Sequence, residues 1–134
     1  MEEIKVGEYV RTKTDGICKL ISKEKDADGE WAGYIDRPFW LRENNIVKHS
    51  PNIIDLIEVG DIAIIEYYVS KYKQRISRMF ECSLFEENVM FENIHCKWWY
   101  NKSKKQWEQS KGYNPKIKSI VTHEQFNSIK YEVI

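Results

Sequence analysis

No stretch of this chain is both long and apolar enough to cross a bilayer, and no charged n-region leads into an apolar h-region. Neither a membrane span nor secretion is expected. Cysteine is scarce: Cys18, Cys82 and Cys96 are odd in number and form no C-x-x-C pair. Free thiols in a reducing cytoplasm are the simplest account, and without secretion the Asn101-Lys102-Ser103 sequon is idle. The six glycines are isolated, so there is no Gly-rich loop to cradle phosphate. No Ser or Cys stands in a nucleophile signature, and His49, His95 and His123 are scattered. Glu2-Glu3 and Glu86-Glu87 read as solvated tail and turn residues rather than a catalytic pair. His95 and Cys96 are adjacent, so on a strand they face apart and cannot share an ion without a bulge. The expectation is a non-enzymatic protein without metal or cofactor. Net charge is also missing: 21 basic and 21 acidic residues balance. That excludes a DNA mimic and a wholly basic nucleic-acid coat.

What the chain does have is aromatic residues, 13% of its 134 positions. Aromatics suit pleated, half-buried surfaces and point to β structure. Turn signals recur between short apolar runs: Gly7, Asp15-Gly16, the 26–29 turn, Glu86-Glu87-Asn88, the 101–105 tip and the 111–115 turn. Asp15-Gly16 is the pair a two-residue type I′ hairpin favours. Pro38 interrupts the run from Glu30, and Phe39-Trp40-Leu41 resumes it. Ile62 to Val69 is almost continuously apolar, which predicts a central strand buried on both faces. Phe80, Cys82 and Leu84 alternate with polar residues, the period of a half-buried strand. Strands are further expected over 94–100, 117–121 and 131–134. Ser50-Pro51 ahead of Ile53-Ile54 predicts a single helical or 3₁₀ turn. Thr122 with Gln125 has the form of a capping box and predicts one short helix over 124–129.

Ile57-Glu58-Val59-Gly60-Asp61 echoes Ile4-Lys5-Val6-Gly7-Glu8. The chain starts the same kind of module twice. The fold class expected is mainly β: two small SH3-like, barrel-like antiparallel meanders packed together, with one short C-terminal helix. Residues 1–49 form the first meander and 50–134 the second unit, in which 67–115 is an individual insert. The frame segments 47–61 and 117–126, with the opening 4–13, resemble a recurring frame in small proteins of phages and prophages of Gram-positive bacteria. The resemblance covers roughly a third of the chain and carries no catalytic motif. It implies an accessory protein of a mobile element at work in a bacterial cytoplasm. Some such proteins inhibit host defence systems, CRISPR nucleases included.

Charge is unevenly placed. Residues 1–66 hold 9 basic and 14 acidic side chains, and 67–134 hold 12 and 7. The strongest functional signal lies in the basic half, where Lys97, Lys102, Lys104, Lys105, Lys111, Lys116 and Lys118 interleave with aromatics. Arg75 and Arg78 add a second basic cluster with Lys71 and Lys73. Trp98 and Trp99 must point to opposite faces of a strand, so one is core and the other is available. Candidate partner-binding residues are therefore Arg75, Arg78, Lys97, Trp99, Tyr100, Lys102, Lys104, Lys105, Trp107 and Lys111. An exposed Trp among cations suits a host protein or nucleoprotein complex, blocked by occlusion. The same surface suits direct nucleic-acid binding, with lysines on phosphates and aromatics stacked on bases. A third reading leaves the lysines as guards of a hairpin tip and an edge strand.

Overall fold

The computed structural model describes residues 3–25 and 27–129. The chain is mainly β, with two antiparallel sheets and one short helix near its C-terminal end. It divides into two compact units, Met1–Leu56 with Glu124–Ile134, and Ile57–His123. The division falls at Leu56 rather than after residue 49. The 3₁₀ turn Ile53–Leu56 buries Ile54 and Leu56, and Leu56 O accepts from Arg11 Nη1 at 2.8 Å, which keeps the turn with the first unit. The strand expected over 131–134 lies outside the described residues.

The first unit contains β1 (Tyr9–Thr12), β2 (Ile17–Lys25), β3 (Trp31–Ile35), β4 (Trp40–Arg42) and β5 (Ile46–Ser50), in the order β4-β3-β2-β1-β5. A 3₁₀ turn, Glu43–Asn45, joins β4 to β5. The last strand closing beside the first, after a 3₁₀ turn, is the path of an SH3-like small barrel. Its core is Ile4, Val10, Cys18, Leu20, Trp31, Ile35, Leu41 and Ile46. The β1–β2 connection differs from the two-residue hairpin expected: Arg11 pairs with Ile17, and Thr12 N–H donates to Gly16 O at 3.0 Å. Gly16 alone is left-handed, at φ +81°, whereas type I′ needs two such residues. The buried Thr12 hydroxyl decides the longer loop, because Oγ1 both donates to Gly16 O and accepts from Asp15 N–H. Arg11 is fully buried on β1, and its guanidinium forks onto Glu124, Nε to Oε1 at 3.3 Å and Nη2 to Oε2 at 2.7 Å.

The second unit contains β6 (Ile62–Val69), β7 (Gln74–Phe85), β8 (Asn88–Glu92), β9 (Lys97–Asn101), β10 (Gln106–Glu108) and β11 (Lys116–Val121), ordered β10-β9-β8-β7-β6-β11. The helix α1 (His123–Ile129) follows β11. The path repeats that of the first unit, with the returning strand beside the opening one. β6 is not buried on both faces as its composition suggests. Ala63, Ile65 and Tyr67 are buried, while Ile62, Ile64 and Glu66 are half-exposed on the other face. The inward face of this sheet holds an aromatic core. Trp98 packs edge-on to Tyr67 at 4.8 Å and stacks on Phe80 at 5.1 Å, and Phe91 is fully buried. Residues 67–115 are thus no peripheral insert: they supply β7 to β10 and Phe80, Cys82, Val89, Phe91 and Trp98 of the core.

The echo between the two openings is atomic. Gly7 (φ +95°) donates its N–H to Leu20 O at 2.8 Å, and Leu20 N–H returns to Glu8 O at 2.9 Å. Gly60 (φ +93°) donates to Cys82 O at 3.1 Å, and Cys82 N–H returns to Asp61 O at 2.9 Å. The acid side chain folds back in both: Glu8 Oε1 accepts from Lys5 N–H at 2.7 Å, and Asp61 Oδ2 from Glu58 N–H at 2.8 Å. Ile4 and Ile57 are buried, whereas Val6 and Val59 face solvent. Each Ile-x-Val-Gly-acid segment is a clip that turns the chain through a left-handed glycine and delivers it into a sheet.

Candidate partner-binding face

Period two along β7 puts Phe80 and Cys82 inward and Met79, Glu81, Ser83 and Phe85 outward. Cross-strand pairing extends that outward face. Ser83 stands opposite Met90, Met90 opposite Trp99, and Phe85 opposite Asn88. Met79 is 65% exposed and Phe85 61%. Phe85, Asn88, Met90, Lys97 and Trp99 line a cleft of about 310 Å³. The Trp99 indole is held by donation from Nε1 to Glu108 Oε2 at 3.1 Å, so the ring is fixed before any partner arrives. Asn88 Oδ1 is buried in this region without a hydrogen-bond donor, an unmet acceptor of the kind folded proteins seldom keep. On the same face, Ile62, Met79, Glu81, Glu92, Asn93 and Ile94 border a second cleft of about 500 Å³.

The strand pair settles the orientation of the two tryptophans. Trp98 is core, and Trp99 is half-buried on the outward face. The other candidates scatter. Arg75 reaches Glu66 Oε1 at 3.3 Å and donates to Asn114 O at 2.9 Å, fastening the 114–116 approach to β11. Arg78 lies near enough to Tyr67 to offset part of the upward push that burial gives that phenol. Lys97 pairs with Glu92 at 3.4 Å, and Lys104 with Glu108 at 3.7 Å. Tyr100 and Trp107 lie on the inward face, 5.6 Å apart and edge-on, and Trp107 also packs 5.2 Å from Phe91. Both are half-buried at the edge of the aromatic core. Lys102, Lys105 and Lys111 take no acidic partner among the described residues. The 102–105 tip is built by Asn101, whose Oδ1 accepts from Lys104 N–H at 2.9 Å, and by Lys105 in a left-handed conformation at φ +53°. Lys97 and Trp99 therefore share a cleft, while Lys102, Lys105 and Lys111 sit at the tip and in the 111–113 turn.

Met79, Phe85, Met90 and Ile94 were not singled out by the lysine–aromatic pattern. Their signal was parity: once Phe80 and Cys82 are inward, Met79 and Phe85 must be outward. Ile94 precedes β9 rather than opening it. Asn93 Oδ1 accepts from His95 N–H and Cys96 N–H, each at 2.8 Å, and this turn ends the ladder.

Electrostatics elsewhere is largely spent inside the fold. The Lys118 ammonium, hydrogen-bonded to Glu66, outweighs partial burial and with Arg75 holds that carboxyl low. Burial pushes Glu8 up, but the His49 ring, with Nδ1 3.0 Å from Oε2, and the Lys5 N–H outweigh it and hold Glu8 below the usual carboxylate range. His49 is a nearly buried strand residue. Burial lifts the Cys18 thiol to about 11, which leaves it inert. Burial, with a contact to Cys96 Sγ, likewise raises Tyr67. His123 Nε2 lies 3.0 Å from Glu58 Oε1. No helix among the described residues is long and apolar enough to cross a membrane. Comparison with protein-family models, with characterised proteins and with solved structures gives no match.

Proposed function

We propose that this is a non-enzymatic binding protein that acts by occlusion, with the outward face of the second sheet as its contact surface. The observation that carries the reading is the cleft formed by Phe85, Met90 and the pre-fixed Trp99. Large apolar groups on a rigid strand face are what an anchored protein interface uses. Lys102 and Lys105, which take no acidic partner among the described residues and lie nearby in sequence, supply steering charge toward an acidic or nucleoprotein partner. The sequence resemblance to phage and prophage proteins gives the context: an accessory protein of a mobile element in a bacterial cell, directed at a host protein or nucleoprotein complex. Inhibition of a host defence complex, of the CRISPR type, is the specific form of that reading.

Direct nucleic-acid binding is favoured by one observation, that Lys102, Lys105 and Lys111 take no acidic partner among the described residues. Against it, Trp107 and Tyr100 are packed against each other, and Lys97 and Lys104 are already neutralised. Two double variants separate the readings in capture from a host lysate. Phe85→Ser with Met90→Ser is expected to lose a discrete protein partner, weakening binding about 30-fold for about 2 kcal/mol of anchor contacts. Lys102→Glu with Lys105→Glu is expected to slow capture and leave it in place. If the lysine variant alone abolishes binding, and binding to a single-stranded oligonucleotide falls steeply with salt, the nucleic-acid reading replaces this one.

A further inference from the structure

The second outward cleft carries a more specific demand than apolar contact. Ile94 is 94% exposed, the highest value among the large apolar side chains of the described residues. It is not on a loose loop. Asn93 N–H donates to Cys96 O at 3.0 Å, Asn93 Oδ1 takes the His95 and Cys96 N–H groups, and Asn93 Nδ2 reaches Met79 O at 3.3 Å. The turn holds Ile94 as a fixed knob beside Met79. Glu81 and Glu92 stand directly opposite each other on β7 and β8, and Lys97 stands opposite Glu92. Like charges in that position destabilise a strand pair. Lys97 answers one carboxylate, at 3.4 Å, and Glu81 has no cationic partner among the described residues.

We propose that the cleft between Met79 and Ile94 accepts a Lys or Arg side chain of a protein partner, presented next to an apolar residue on an extended segment. The aliphatic stem lies along Met79 and Ile62, the cationic head meets Glu81, and the neighbouring apolar residue covers Ile94. Charge complementarity selects this occupant: two carboxylates against one lysine leave an acidic rim, which repels a phosphate backbone and an acidic peptide alike. The inference rests on the reading of this face as a protein-contact surface and names the partner's chemistry there.

The test is a methyl NMR titration of the full chain, labelled at Ile and Met, with the peptide acetyl-Leu-Arg-Leu-Lys-Leu-amide. Controls are the same peptide with Glu at both basic positions and a ten-residue oligothymidine. The basic peptide is expected to shift the Met79 and Ile94 methyl signals. Glu81→Gln is expected to weaken it about fivefold, as loss of a partly exposed ion pair does. Ile94→Ser, at a position too exposed to affect folding, is expected to remove the binding. Equal shifts from the acidic peptide or the oligonucleotide overturn the proposal. So does an unchanged affinity in Glu81→Gln, or no shift from the basic peptide. Its failure is distinct from failure of the occlusion reading: partner capture that still depends on Phe85 and Met90 while Met79 and Ile94 stay silent sinks only this inference.

Discussion

The two units begin with the same clip and then spend their strands differently. In the first, the clip leads into five strands around an aliphatic core with one tryptophan, and the buried Arg11 is matched by Glu124. In the second, the same clip leads into six strands around an aromatic core of Tyr67, Phe80, Phe91 and Trp98. The long strand β7 gives the second sheet an outward face with Met79 and Phe85 on it. The first unit has a smaller exposed aromatic pair, Tyr34 and Trp40, whose rings lie 3.9 Å apart and tilted. The lesson is that a shared opening fixes how a sheet starts and where its last strand returns. The strands between are free to build a surface, and here the second unit has done so.

That comparison can be broken at several points. Trp98→Ala should be the most damaging change, destabilising by about 3–5 kcal/mol in denaturant unfolding, because it empties a fully enclosed aromatic site. Trp99→Ala, one residue on, should cost only about 1 kcal/mol, the hydrogen bond to Glu108 and a partial contact. Similar losses for the two would contradict the face assignment. Arg11→Met should cost about 3 kcal/mol, at the lower end for breaking a buried pair because Glu124 retains some contact with water. A neutral result would mean the pair does not hold the C-terminal segment to the first unit.

The clips themselves are tested by Gly7→Ala and Gly60→Ala. Both glycines have φ near +95°, and an added Cβ meets nothing within 4 Å at Gly7 and only His123 Cβ at 3.6 Å at Gly60. Each should lose about 1–2 kcal/mol from backbone strain alone, measured by thermal or denaturant unfolding. Unequal losses would show that the clips are alike in shape but not in energy. The smallest effect should come from Glu8. Its carboxyl is held below its ordinary value of 4.5, so it contributes stability above that pH and loses it as the pH falls through the depressed folded value. Unfolding of Glu8→Gln against the parent chain should show a gap that is full near neutrality and closes under acid. A gap that widens below pH 4.5 would reverse the sign.

Much of the frame was legible because it is local. The 3₁₀ turn after Ser50, the helix after Thr122, the tip at 102–105 and the opposed Trp98 and Trp99 each follow from a few neighbouring residues. The echo of the two openings was legible for the same reason. What was not legible depends on distant partners. Arg11 and Glu124 are 113 positions apart, and nothing near either one marks a buried ion pair. Trp107 reads as an exposed anchor among lysines until Phe91 and Tyr100 come to meet it across the sheet. The basic cluster was a composition signal, and the fold spends Arg75, Lys97 and Lys104 on Glu66, Glu92 and Glu108. The apolar outward face was hidden by spacing: Met79 and Phe85 belong to one surface only once β7 runs unbroken from Gln74 to Phe85.

The most direct measurement is oxidative side-chain footprinting of the chain alone and in complex with the partner captured from lysate. Met79, Phe85, Met90 and Trp99 are predicted to lose reactivity together, while Tyr34 and Trp40 keep theirs. Protection of Tyr34 and Trp40 with Met79 and Phe85 still reactive would place the contact on the first unit and contradict the account.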